Sequence, residues 1–273
     1  MSTSIIVILI VNVLLSIKGF RDRTFFNRHM FHVNSIVIRK EYGRLVSSAF
    51  LHANNMHLFF NMLSFYFFAP VVVATLGELS MLIIYFAALL GGNLLSLYIH
   101  RKHGDYRAIG ASGAVSGIVF AAIALYPNMK LFVLFIPNVP GYVFAIIYML
   151  YSINGIRKQA DNIGHEAHLG GAILGVLTAL MFEPRALEDN FLVIALILVP
   201  VAVFLAILMF KPSLLMVGMD YEKNQEYLSQ DDQYNIKKKN QEEKLNYILD
   251  KIHRGGLNSL TAEEKEFLDR FSK

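Results

Sequence analysis

The chain has 273 residues, 55% of them hydrophobic and only 17% charged, with a mean hydropathy of +0.46. A water-soluble domain of this length carries more charge and fewer long apolar runs, so a soluble globular protein is excluded. The formal charge of +4 is accompanied by no nucleic-acid motif, and with no cysteine there are no disulfides, thiol nucleophiles or Cys-based metal sites.

The apolar residues fall in blocks of roughly the 20 residues that span a bilayer as a helix. Seven spans are expected in chain order, at about 4–20, 55–74, 79–99, 112–126, 139–155, 165–182 and 190–210. The run from Ser4 to Ile17 lacks a basic n-region and a small-residue cleavage pattern, and reads as a retained first span. The loop at about 21–54 mixes Arg and Lys with Phe25, Phe26, Phe31 and Ile36, which predicts an amphipathic segment on the membrane surface. The fourth and fifth spans are short, and the apolar stretch 130–140 between them carries two prolines, which suggests a loop dipping into the interface. After Lys211 the composition turns polar. Leu245, Ile248, Leu249 and Ile252 then follow helical spacing, Gly255-Gly256 stops that helix, and Thr261 with Glu264 forms a capping box for a second one. The expected organisation is a six-span core at 1–182, a seventh span at 183–211, a polar linker at 212–243 and a soluble helical hairpin at 244–273.

Polar side chains inside apolar spans are costly and point to function. The second span carries His57 and Asn61, the fourth Ser112, and the sixth His165 and His168, each near its N-terminal end. Even-numbered spans of a serpentine chain run the same way, so these residues share one leaflet. Gly113 and Gly117 follow Ser112, and Gly171 and Gly175 follow His168, in the small-xxx-small spacing that lets membrane helices touch. Such a crossing brings the Ser112 hydroxyl within reach of the His168 imidazole. A serine needs a base to become a nucleophile, and imidazole serves near neutral pH. His57 and Asn61 share one helix face and, with backbone N–H groups freed at the start of the fourth span, can hold an oxyanion. Alone, Ser112 would read as a helix cap and His57 and Asn61 as interhelical hydrogen-bonding groups. His52, His165 and Glu166 read as structural, and His165-Glu166-Ala167-His168 lacks the spacing of a zinc-binding HExxH.

Gly110-Ala-Ser-Gly113 with Gly117, Ala167-His168-x-x-Gly171-x-x-x-Gly175, His57-x-x-x-Asn61 preceded by His52, and Arg44 in the first loop together resemble the rhomboid family of intramembrane serine proteases. The resemblance covers about residues 1–182. It implies an all-α polytopic membrane protein with a rhomboid-like six-helix core, one additional C-terminal span and a small soluble tail. It implies Ser112 as nucleophile, His168 as base, an oxyanion site of His57, Asn61 and the Ser112 N–H, and supporting glycines at 110, 113, 117, 171 and 175. No metal or cofactor is implied. The substrates would be single-span membrane proteins cut near the lipid–water boundary, with the loop at Asp161–Gly164 as a cap. The sequence sets no oligomeric state. In two places the chain departs from the family: Ser116 stands where an aromatic residue usually supports the histidine, so that packing must come from elsewhere, and Gly43 stands where Trp often precedes Arg44.

Two other classes compete. A catalytically inactive relative that binds membrane proteins would normally lack the serine or the histidine. A transporter would show inverted repeats around a midplane site, and none is found. The resemblance implies the bacterial inner membrane, with the site facing outward. Yet most loop cations, Arg21, Arg23, Arg39, Arg101, Lys102 and Arg157 among them, lie on the active-site side, against only Lys130 and Arg185 opposite. The positive-inside rule therefore predicts a site facing the cytoplasm.

Overall fold

A computed structural model of the chain describes residues 2–133, 136–158 and 163–210, with positions 245, 248, 249, 251, 252, 260, 261, 264, 267 and 268 of the tail. The chain divides into two compact units, Met1–Asn224 and Gln225–Lys273.

The seven expected spans are all helices, and their ends differ from expectation by only a few residues. They are α1 (Thr3–Arg21), α5 (Asn55–Leu76), α6 (Glu78–His100), α7 (Ser112–Leu125), α8 (Gly141–Lys158), α9 (His165–Phe182) and α11 (Phe191–Phe210). The short helices α2 (Arg23–His29), α3 (Val33–Val37), α4 (Arg44–Ser47) and α10 (Arg185–Asp189) lie between them. Among the described residues, five helices are long and apolar enough to cross a bilayer: α1, α5, α6, α9 and α11. The exceptions are α8, whose 18 residues end in Arg157 and Lys158, and α7 with 14 residues. A helix of 14 residues is about 21 Å long, short of the ~30 Å apolar core, so at least one end of α7 lies inside that layer. Every α7 residue from Gly113 to Leu125 is buried. Helices α5, α6 and α9 pack around it, which is why a helix too short to span is the centre of the bundle.

Local signals set the ends. The Asn54 side chain accepts the His57 N–H at 2.9 Å and starts α5. Gly77, with φ +86°, turns the chain from α5 into α6 in a backbone state that only glycine adopts cheaply.

The first loop is more folded than the sequence suggests. Instead of an apolar face laid open, Phe31, Val33 and Ile36 form a small core with Leu45, Leu97 and Tyr106 around it. Strand β1 (Phe31–His32) pairs with β2 (Arg107–Ala108), which ties this loop to the segment leading into Ser112. Buried Arg44 donates from Nη1 to the carbonyls of Asn27 and Met30, both at 2.8 Å, and from Nε to Glu41. It is a spent charge inside the loop rather than a free surface cation. The expected interfacial loop at 130–140 is a hairpin of β3 (Lys130–Val133) and β4 (Ile136–Pro140), with Phe132 and Ile136 exposed.

In the second unit, Ile248 and Leu260 are buried. Thr261 and Glu264 make both bonds of the capping box: Thr261 N–H to Glu264 Oε2 at 2.7 Å, and Glu264 N–H to Thr261 Oγ1 at 3.3 Å. Lys251 adds an ion pair to Glu264 at 2.8 Å. The expected linker at 212–243 and most of the hairpin lie outside the described residues.

Candidate active site

The segment before Ser112 is held by its own backbone. The Gly110 N–H donates to the Ser48 carbonyl at 3.0 Å. Gly110 has φ +125°, and a Cβ there would lie 2.7 Å from the His57 ring, so only glycine fits. The Ala111 N–H points at His52 Nε2 at 3.4 Å. His52 Nδ1 lies 2.8 Å from the Ser16 hydroxyl, which itself donates to the Phe50 carbonyl at 3.1 Å. This chain of partners fixes the tautomer: Nδ1 carries the hydrogen and Nε2 accepts. Burial first, and the neighbouring His57 second, push the His52 pKa down to about 3, so the ring is neutral.

With those two N–H groups used, the next donor is the Ser112 N–H itself. It belongs to the first turn of α7, where no carbonyl lies four residues back within the helix. The N-cap position is Ala111, so Ser112 stands one residue inside and does not cap the helix.

Glycines bring α7 against α9. A Cβ on Gly171 would lie 2.0 Å from the Gly113 carbonyl oxygen, and one on Gly175 would lie 2.2 Å from the Gly117 oxygen. On the α6 side, a Cβ on Gly117 would lie 2.1 Å from the Ala88 Cβ, and one on Gly92 would lie 2.5 Å from the Ala167 oxygen. The backbones touch, and no other side chain fits this seam.

Ser112 and His168 line one cavity of about 830 Å³, with His57 and Asn61 in the same wall. The Ala53 N–H points at His57 Nδ1 at 3.4 Å, which leaves the ring hydrogen on Nε2, toward Gly110 and Ser112. Asn61 Nδ2 gives one hydrogen to the His57 carbonyl at 2.9 Å and has a second to offer. The cavity thus holds a hydroxyl, an imidazole and a set of N–H donors, the inventory of an acyl-transfer site.

Ser116 brings no ring to His168, but another helix does. Tyr148 of α8 stacks beside the His168 ring, centroids 6.0 Å apart and planes inclined at 29°. The Tyr148 hydroxyl is 3.0 Å from Ser116 Oγ. His165 meets His168 edge to face at 6.1 Å, and the His165 ring fills the space a Cβ on Gly155 would need. Tyr148 escapes a sequence reading because a tyrosine in an apolar run looks like an interfacial anchor.

Glu166 turns away from the cavity. Its Oε1 is 2.9 Å from Nε2 of buried His100, whose ring stacks on Tyr106 at 3.5 Å. Burial first, and the Glu166 carboxylate next, push the Tyr106 phenol well above its ordinary range. This pair joins positions 66 residues apart, and neither residue carries a spacing signal. Among the described residues no three His, Cys, Asp or Glu side chains could hold a metal ion. Of the expected cap, Ile163 and Gly164 line the cavity, while Asp161 and Asn162 lie outside the described residues.

Residues 228–273 match a family model described as a family of unknown function (DUF6576), and residues 39–185 match the Rhomboid domain. RHOMBOID-like protein 12, mitochondrial, of Arabidopsis thaliana is 31% identical over 148 residues, 49% of this chain and 44% of that protein. Rhomboid protease GluP of Bacillus subtilis is 30% identical over 147 residues, 54% and 27% of the two chains. Rhomboid protease AarA of Providencia stuartii is 26% identical over 170 residues, 55% and 59%. The chain therefore spans less than two thirds of each of these relatives. The Rhomboid match takes in more than half of the chain and every residue that lines the cavity, from Ser48 to His168, and on that ground this all-α polytopic membrane protein belongs to the rhomboid family.

Proposed function

We propose that the chain is a serine endopeptidase that cuts single-span membrane proteins within the bilayer. The observation that carries this reading is the cavity shared by Ser112 and His168, on two helices locked together by glycine. Relatives named as rhomboid proteases in two bacteria support it.

In the proposed reaction His168 takes the proton from Ser112 Oγ as that oxygen bonds to the scissile carbonyl carbon. The carbonyl oxygen becomes an oxyanion and accepts hydrogen bonds from the Ser112 N–H, the His57 Nε2–H and the Asn61 amide. The His168 imidazolium then protonates the leaving amine as the C–N bond breaks. Water, deprotonated by the same imidazole, attacks the acyl-serine; His168 returns the proton to Oγ as the acid product leaves. The membrane is proposed to be a bacterial inner membrane, with the site on the side that bears Lys102 and Arg107.

The test is cleavage in liposomes of single-span reporters that vary in the residues near the lipid–water boundary. The parent should cut some of them, whereas Ser112→Ala and His168→Ala should lose the cut by about a thousandfold or more. A parent that binds such reporters tightly but cuts none of a varied panel contradicts the protease and favours an inactive adaptor.

A further inference from the structure

Resting on the assignment of His168 as the base, we propose that Tyr148 is the positioning residue that holds the His168 ring toward Ser112, and that the Ser116 hydroxyl holds Tyr148.

Three observations converge. The Tyr148 ring lies 6.0 Å from His168 with the planes inclined at 29°, within the range where aromatic rings attract. Its hydroxyl meets Ser116 Oγ at 3.0 Å, which fixes its far end to α7 one turn beyond Ser112. Phe120 of α7 and Phe144 of α8 flank the ring, each at 5.6 Å. A tyrosine in contact with three rings and hydrogen-bonded at its tip has little rotational freedom. It transmits that restriction to the imidazole, whose orientation decides whether a ring nitrogen faces Ser112 Oγ.

The arrangement also explains Ser116. An aromatic side chain there would need the space that Tyr148 fills. A small residue with a hydroxyl leaves that space open and supplies a hydrogen bond at its edge. The nucleophile and the anchor of the base's support thus lie one turn apart on the same helix. Tyr148 itself sits on α8, so the placement of α8 against α7 and α9 becomes part of the catalytic geometry. A base propped from a third helix is aligned only when that helix is docked.

The experiment is the kinetics of covalent labelling by a fluorophosphonate in detergent, with the maximal rate constant and the half-saturating probe concentration measured separately. Tyr148→Leu removes the ring and should lower the maximal rate constant about tenfold or more, with half-saturation changed less than about twofold. Tyr148→Phe keeps the ring and should stay within about fivefold of the parent. Ser116→Ala should cost about the same as Tyr148→Phe, and the double variant no more than either single one, because both cut the same bond. A well-folded Tyr148→Leu that labels at the parental rate overturns the proposal. So does a change confined to half-saturation, which would make Tyr148 a cavity wall only. Should Tyr148→Leu not fold, additive losses in the Ser116→Ala, Tyr148→Phe cycle overturn the proposal. A parent that does not label, or labelling that survives Ser112→Ala, overturns the assignment of the site and this inference with it.

Discussion

His52 does not line the cavity that holds Ser112, yet its contacts shape the turn before that residue. Its ring bridges the Ser16 hydroxyl and the Ala111 N–H, and so fixes the turn that presents Ser112. That job requires the neutral form, because Nε2 must accept. The folded pKa of about 3 lies far below the usual histidine value, so the unfolded chain binds the proton first as pH falls. Stability linked to this ring is fully present above the unfolded pKa of about 6.5 and is lost between there and about 3. Thermal midpoints measured between about pH 7 and about pH 4 should fall in the parent, and fall less in His52→Gln, which cannot take up the proton. Equal slopes for the two would remove His52 from this role. In the tail, hydrogen bonding to Lys251 first, then to the Thr261 N–H, holds the Glu264 carboxylate below its ordinary range. The capping box is therefore present above the ordinary carboxylate pKa and is lost as pH falls through the lower folded value. The protection factor of the Thr261 amide in the full chain, taken against the intrinsic exchange rate at each pH, should fall in acid, and Glu264→Ala should remove that protection already at neutral pH.

At Gly113/Gly171 and Gly117/Gly175 helices α7 and α9 meet backbone to backbone, which brings Ser112 and His168 to one cavity. Any Cβ at Gly171 collides with the Gly113 carbonyl, and backbone cannot swing aside as a side chain can. Gly171→Ala and Gly175→Ala should each destabilise the protein by about 2 kcal/mol or more, the upper range for overpacking. Gly43→Ala, where nothing lies within 4 Å, should be close to neutral. Thermal unfolding in detergent checks all three, and parental midpoints for the Gly171 and Gly175 variants would contradict the seam. This contact is legible in the sequence because both its partners, Gly113/Gly117 and Gly171/Gly175, repeat at helical spacing within apolar runs. Ser112, His168, His57 and Asn61 are legible for a related reason, since polar groups stand out in spans that tolerate few. Other features have no local signature. Strands β1 and β2 have two residues each and pair across 75 positions. The small core around Phe31 draws on Leu97 and Tyr106 from outside the loop, so no local spacing announces it. Tyr148 likewise acquires meaning only from the docking of α8.

At the scale of the whole molecule, the unequal loop charges remain to be matched with an orientation. Arg44 is consumed inside its own loop, but Arg21, Arg23, Arg39, Arg101 and Lys102 are exposed on the same side as Ser112. The positive-inside rule weighs short-loop cations, and the opposite ends offer only Lys130 and Arg185. The expected outcome is a site facing the cytoplasm. The chain has no cysteine, so single reporters are clean. In intact cells an impermeant maleimide should label Asn128→Cys and not Lys102→Cys; the reverse pattern would place the site outside and override the charge bias.

The proposed proteolysis requires Ser112 to be an activated nucleophile. The purified parent, with Ser112→Ala and His168→Ala beside it, is treated in mild detergent with a fluorophosphonate, which needs no known substrate. Labelling of the parent at a single site, absent from both variants, is the expected result. A folded parent that does not label, or a label that persists in Ser112→Ala, would contradict the catalytic reading.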